Sequence, residues 1–275
     1  MQRILGITVL MWTVSATLPA AGIFGQFTLD GTVTVTAAGQ IEWTSNGSPT
    51  VNSEANVSSS ADVTGTFATA DMGGSIGGQL VTINTLTDGT DPMTTQPVGV
   101  TFTPFNFIDF AAVDSLPQLW ATNISEGSGG QTDCSDDPSA AAPGQSCTLL
   151  GTTTFPPVLV GNGESPFTFN NYSYPNTNPP PDNLCCTSTA TWNIAGVTSD
   201  GTSVWFGQFT ATFDTSYQQQ LLNFVDNSQV SDAYSGVMTV SVEQIQSVPE
   251  PGTWAMMVGG VILIGLGSLR RRKKA

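Results

Sequence analysis

The side chains able to do chemistry in this sequence are carboxylates and thiols. There are 21 Asp and Glu residues, four Cys and no His. Without His, neither a Ser-His-Asp nor a Cys-His arrangement can be built. All six cations lie at the ends, Arg3 at the front and Arg270, Arg271, Arg272, Lys273 and Lys274 at the back, so residues 4–269 hold none. A body without Lys has no Ser-Lys pair and no Schiff base. Asp214-Thr215-Ser216 matches half of an aspartic-protease site, but that chemistry takes two carboxylates sharing one proton. No second Asp-Thr-Gly or Asp-Thr-Ser occurs. Two carboxylates flanking a glycosidic bond would suffice for hydrolysis. A carbohydrate-active enzyme is therefore the alternative reading of the body, although no spacing singles out the pair. The sequence assigns no catalytic residue and calls for no cofactor.

The thiols have a structural reading. Cys134, Cys147, Cys185 and Cys186 sit in or beside two segments, 126–145 and 175–183, rich in Gly, Ser, Asn, Asp and Pro and without periodicity. An even number of Cys in an exported chain predicts two disulfides. Metal ligation is disfavoured, since there is no His and no Cys-x-x-Cys. Adjacent cysteines in trans geometry point their side chains apart. The expected bonds therefore run from the first loop to the second, with the partners left open. For hard cations, Asp88-Gly89-Thr90-Asp91 and Asp133 with Asp136 and Asp137 place carboxylates together in loops. Neither fits a twelve-residue EF-hand loop, and loop solvation accounts for both.

The formal net charge is −15, and all 21 acids lie within residues 4–269. A polypeptide with no cation in its body cannot neutralise phosphates, which excludes nucleic acid as a partner.

The two ends read as targeting segments. Met1-Gln2-Arg3 is a short positive region, residues 4–18 are apolar, and Leu18-Pro19-Ala20-Ala21-Gly22 offers small residues to signal peptidase. Residues 1–22 are thus expected to be a signal peptide. The other end runs Val248-Pro249-Glu250-Pro251, then an uncharged stretch over 254–269, then the five cations and Ala275. At about 1.5 Å per residue that stretch covers about 24 Å, short of the ~30 Å hydrocarbon core. Including the preceding residues gives a marginal membrane helix over 253–269. The basic end should stay cytoplasmic and the body outside.

This order resembles the PEP-CTERM sorting signal, over residues 248–275 alone. The resemblance implies that Pro249-Glu250-Pro251 is read by an exosortase-type processing enzyme. It also implies a Gram-negative-type host that makes exopolysaccharide, an inner-membrane precursor, and delivery to the cell surface or extracellular matrix.

Residues 23–247 read as the exported domain, and as β structure. Residues 26–36 alternate Phe27, Leu29, Val33 and Val35 with polar residues, then turn through 37–40 into Ile41-Glu42-Trp43. Segments 63–70, 80–86 and 98–107 are further strands. Residues 190–213 form a hairpin about Asp200-Gly201, and 236–245 is the last strand. Thr215-Ser216-Tyr217-Gln218 has the capping-box pattern, Thr215 capping and Gln218 reaching back. Tyr217, Leu221, Phe224 and Val225 would share the packed face of the helix that follows. The expected fold is all-β: an antiparallel β-sandwich or jelly-roll-like ectodomain with one short helix.

Two binding surfaces are conceivable. Trp43, Trp120, Trp192, Trp205, Tyr172 and Tyr174 include candidate sugar-stacking platforms, with Trp192 and Trp205 expected in the core. Thr32-Val33-Thr34-Val35-Thr36 resembles the threonine arrays of ice-binding surfaces, although no internal repeat supports a stack. The expected function is an exported cell-surface or exopolysaccharide-associated structural or binding protein, not an enzyme.

Overall fold

A computed structural model describes residues 22–37, 39–45, 54–68, 75–89, 91–110, 116–128, 134, 136–149, 165–173 and 185–242. Residues 1–21 of the expected signal peptide, the Pro249-Glu250-Pro251 motif, the membrane helix and the basic end lie outside the described residues. Within them, no helix is long and apolar enough to cross a membrane.

Three long strands set the architecture. β1 (Gly25–Thr36) runs against β12 (Gln229–Val242) in unbroken register from Gly25↔Val240 to Thr36↔Gln229. β11 (Ser203–Phe213) pairs with β12 on one side and β10 (Cys186–Thr198) on the other. From β1 the sheet continues through β3 (Glu54–Val57), β4 (Leu80–Ile83), β6 (Thr101–Asp109) and β7 (Leu119–Ile124). β7 then returns to β10. Every pairing in this circuit is antiparallel, so eight strands close into a barrel. The all-β, one-helix expectation holds, but the sandwich does not. Period-two alternation is the same in both architectures, and closure is set by which strands meet at the ends of the order.

Two strands fork, and the forks define two poles. The first half of β10 pairs with β9 (Thr168–Ser173), which carries β8 (Ser146–Cys147), and the second half pairs with β7. β1 pairs with β3 at Leu29 and Asp30, and with β2 (Gln40–Thr44) from Thr32 onward. β5 (Leu86–Thr87) extends β2. At one pole both ends of the body meet: Val242 is opposite Ser203, whose hydroxyl donates to the Ile23 carbonyl at 2.8 Å. At the other pole β11 gives way to α1 (Tyr217–Asn227), which packs on β12, β10 and β9.

The interior is filled with rings. Phe209 stacks on Trp192 at 5.5 Å and 14°, with Trp43 at 5.0 Å. Trp43 also meets Tyr234 at 5.0 Å and Phe107 at 5.7 Å, and Phe107 stacks on Trp205 at 7°. Such ring pairs add about 0.5–1.5 kcal/mol each beyond area burial. Trp43, Trp192 and Trp205 are all buried, so none is a sugar platform.

The hairpin expectation at 190–213 is met. Asp200 Oδ1 accepts from the Thr198 hydroxyl (2.6 Å) and from the Thr202 backbone N–H (3.1 Å), while Gly201 takes φ 68°. Among the described residues of the strand expected over 63–70, which run to 68, no strand forms, because Gly65 at φ 63° turns the chain into 3₁₀ structure over Gly65–Ala68. Phe67 from this turn packs on Phe27 at 4.8 Å. The last strand starts at Gln229, seven residues before the expected 236.

The helix cap is displaced by one residue. Ser216, not Thr215, accepts from the Gln219 N–H (3.4 Å), and Gln218 turns into the protein instead of reaching back. Val225, expected on the packed face, is 43% exposed. The disulfides also depart from expectation: Cys134 pairs with Cys147 and Cys185 with Cys186. No bond links the two loops. β8 and β9 already hold Cys147 beside the wall through backbone pairing, at Cys147↔Phe169.

Two results test this description. Non-reducing peptide mapping should recover a Cys134–Cys147 cross-link and a Cys185–Cys186 pair; a cross-link from either loop to the other would refute it. Gly196 sits at a register shift between β10 and β7, where an added Cβ would lie 1.9 Å from the Trp120 carbonyl and 2.7 Å from Trp205 Nε1. Gly196→Ala should therefore lower unfolding free energy by about 3 kcal/mol, the upper end of ordinary overpacking. A wild-type urea midpoint for that variant would show that the bulge is misplaced.

Candidate functional site

The pole bearing α1 gathers a network of buried amide side chains. Asn171 on β9 is 2% exposed and Gln218 on α1 is fully buried. Asn171 Nδ2 donates to Gln218 Oε1 (2.9 Å) and to Gln145 Oε1 (3.2 Å), and its Oδ1 accepts from the Tyr217 N–H (3.0 Å). Gln218 Nε2 also donates to Gln145 Oε1, at 2.6 Å. The Ser188 hydroxyl adds a bond to the Thr215 carbonyl at 2.7 Å. These bonds pin the first turn of the helix to the wall and to the loop that Cys134–Cys147 closes. Buried amides without partners would cost about 1–3 kcal/mol each, so the network fixes where α1 starts.

Beneath the next turns of α1 lies a cavity of about 40 Å³. Its wall is almost wholly carbon: Val33 and Val35 from β1, Phe167 and Phe169 at β9, Ala190 and Trp192 from β10, Ala211 and Phe213 from β11. Leu221 and Phe224 of α1 and Val230 of β12 complete the apolar part, and Gln220 and Asp232 are its polar members. Trp192 is 1% exposed, and its indole N–H has no hydrogen-bond partner. The Trp43 indole N–H and the Tyr234 hydroxyl, in the same ring cluster, also lack one. Burial pushes the Tyr234 hydroxyl well up, and the negative charge of Asp30 adds to it.

Asp232 was not foreseen as a site residue. It lies on the inward row of β12, in step with Val230, Tyr234, Met238 and Val240. Burial pushes its carboxyl up; a bond from the Ala233 N–H opposes this, and the charge of Asp214 reinforces it. The signal was a carboxylate in register with apolar residues, visible once the strand is begun at Gln229.

The other candidates separate. Tyr172 is 52% exposed on β9, facing out; Trp120 is half-buried, its indole donating to Gln118 Oε1 (3.0 Å). Tyr174 lies outside the described residues. Thr32, Thr34 and Thr36 share the outward row of β1, with Thr34 bonded to Ser231 across the ladder (2.9 Å). Of the calcium candidates, Asp91 accepts from the Met93 N–H and the Thr94 hydroxyl, both at 3.0 Å. Asp137 caps a 3₁₀ turn through Ser139, whose hydroxyl bond first and N–H bond second hold its carboxyl below the usual range. Thr90 and Asp133 are outside the described residues. Among the described residues no three metal-ligating side chains cluster.

No known family profile matches this chain, no curated protein matches it, and no solved structure matches it.

The Asp232 environment has a pH signature. Its folded pKa lies above the ordinary 3.8, so the folded state holds the proton more tightly than the unfolded chain. Its contribution is most favourable below that value and is lost as pH rises through the raised folded pKa. Asp200 runs the other way: burial pushes it up, but bonds from Thr198 and Thr202 outweigh that and hold it down. The difference between Asp232→Asn and wild type isolates the first group. The variant should gain relative stability as pH increases from roughly 3 to 7, read from urea midpoints. A difference that does not change with pH would show that Asp232 is not in this environment.

Proposed function

We propose that this chain is an exported, non-enzymatic protein of the cell surface or extracellular polysaccharide, sorted through its C-terminal tail. The observation that carries the reading for the body is the polarity of the barrel. Ile23 and Val242, at the two ends of the described body, share one pole. The helix, the cavity and Cys186 lie at the other. A module held by its termini would thus present that second pole outward. The ring-filled interior, the disulfides and the absence of cations in residues 4–269 suit a stable, soluble module outside the cytoplasm.

The tail supplies the route. In this reading signal peptidase removes the first 22 residues, and the membrane segment over 253–269 holds the precursor in the inner membrane. An exosortase-type enzyme then acts at Pro249-Glu250-Pro251, with Arg270, Arg271, Arg272, Lys273 and Lys274 resisting translocation. An acidic body repels acidic glycans, so a polysaccharide partner would be neutral. Tyr172, exposed on β9, is an outward ring able to stack on a sugar.

Replacing Pro249, Glu250 and Pro251 together by Ala should leave an unprocessed precursor in the inner membrane. Fractionation with mass measurement reads the outcome. Arrival of that variant at the surface with normal mass and timing would defeat the sorting assignment.

A further inference from the structure

We propose that the outer face of β10 and β11 binds an extended chain of neutral, equatorially linked hexoses, of the cellulose type, with Phe206 and Tyr172 as its two stacking platforms. This rests on the reading of the body as a polysaccharide-associated module, and it specifies the surface and the kind of sugar.

Strand alternation puts both rings on one surface. On β11, Trp205 and Phe209 are buried in the core, so Phe206 and Gln208 face out. On β10, Trp192 and Ile194 are buried, so the row through Thr187, Thr191 and Ala195 faces out beside them. Phe206 is 46% exposed. It lies opposite Ala195 on β10 and Thr239 on β12, and neither side chain is long enough to cover a phenyl ring. Tyr172 is exposed on β9 opposite Thr187, next to the Cys185–Cys186 pair at the start of β10. Eight residues of β10 separate the two positions, about 26 Å at ~3.3 Å per residue. Along that track β11 presents an exposed amide, Gln208, and an exposed hydroxyl, Thr212.

Charge decides what can lie there. The outward rows of β10, β11 and β12 hold no charged residue, although the chain carries a net −15. A cationic partner finds no carboxylate in these rows to pair with, and an anionic one is repelled by the body as a whole. A second copy of the chain brings its own negative charge to the contact. A neutral sugar meets neither obstacle. Its faces carry C–H groups that pack on aromatic carbon, and its hydroxyls both donate to and accept from carboxamides and hydroxyls. Equatorial linkage makes the chain a flat, extended ribbon, which can lie along two strands and reach both rings. A coiled or axially linked chain would touch one ring and leave the other. Extended cellohexaose is about as long as the track between Phe206 and Tyr172.

The test titrates cellohexaose into the full chain, held in a polyoxyethylene detergent that contains no sugar, and reads binding by calorimetry. Phe206→Ala and Tyr172→Ala should each weaken binding about fivefold, the worth of one stacked ring. Phe206→Tyr, which keeps the ring, should bind as the wild type does. Leu80→Ala should also leave binding unchanged, since Leu80 is exposed on β4, four strands from β11 in either direction around the barrel. Cellohexaose oxidised at its primary alcohols to carboxylates should bind more weakly than the neutral chain, most clearly at low salt. Absence of cellohexaose binding, or equal affinity for the oxidised chain, would overturn the proposal. Binding that survives both alanine variants would overturn this placement while leaving a polysaccharide-associated body intact. Light scattering on the same samples covers the other occupant: a dimer that Phe206→Ala dissolves, without sugar binding, would give the face to a second copy and refute the inference. The sorting assignment is read separately, from processing of the tail variant.

Discussion

The barrel depends on the stack around Phe209. Its ring lies nearly parallel to Trp192, with Trp43 on another side and Tyr234 beyond. Rings of this size fit inside a small barrel only where neighbouring inward positions are small. Gly236 meets that need: a Cβ there would sit 2.5 Å from the Phe209 ring. Gly236 is opposite both Phe209 on β11 and Leu29 on β1, so the small residue and the large one share a layer. This alternation of large and small around one layer lets β11, β12 and β1 approach closely enough to pair along their whole lengths. The long register of β1 with β12 and the space for Phe209 are therefore one constraint seen from two sides.

The lack of cations shapes the surface as much as the rings shape the interior. A carboxylate in an ordinary protein has Lys or Arg to turn to. Here the acids use hydroxyls and backbone N–H groups: Asp200 at the β10–β11 turn, Asp91 in its loop, Asp137 at its 3₁₀ turn. Each such group sits at a chain reversal, where N–H donors are free. Asp30 takes its bond from the Ser58 hydroxyl across the β1–β3 pairing. Asp232, half-buried on the inward row of β12, accepts from its neighbour's N–H instead.

Much of the fold was legible wherever alternation and turn chemistry agreed. The 190–213 hairpin and the turn from β1 into β2 were both read correctly, because a glycine at positive φ stands between alternating runs. The segment around Phe67 misled for a related reason: its apolar spacing is strand-like, but Gly65 at positive φ interrupts it. The short β3 and β8 strands carry too few residues for a pattern to show. Barrel closure is a long-range fact, fixed by β7 meeting β10, and no local window contains it. Helix capping was nearly right and failed by one position. Thr215 and Ser216 are both competent caps, and burial of Gln218 against Asn171 decided between them. The disulfide expectation failed because it treated both loops as lacking other support, whereas backbone pairing holds β8 to β9 and β9 to β10.

The two poles differ in what closes them, and this bears on where function can sit. At the pole of the chain ends, Phe67 packs against Phe27 and Phe110, and the Ser203 hydroxyl bonds the Ile23 carbonyl. At the other, closure falls to a helix of 11 residues held at its first turn by amides from three separate segments. A helix that short gains little stability by itself, so its position follows from Asn171, Gln145 and Gln218. Those residues fix the start of α1 and thereby the roof that Leu221 and Phe224 form over the cavity. A cavity whose roof is set by a directional polar network has a defined shape, whereas one bounded only by apolar contacts could relax and fill. The polar network and the cavity belong together for that reason: the bonds that place the first turn of α1 keep open the space beneath its later turns.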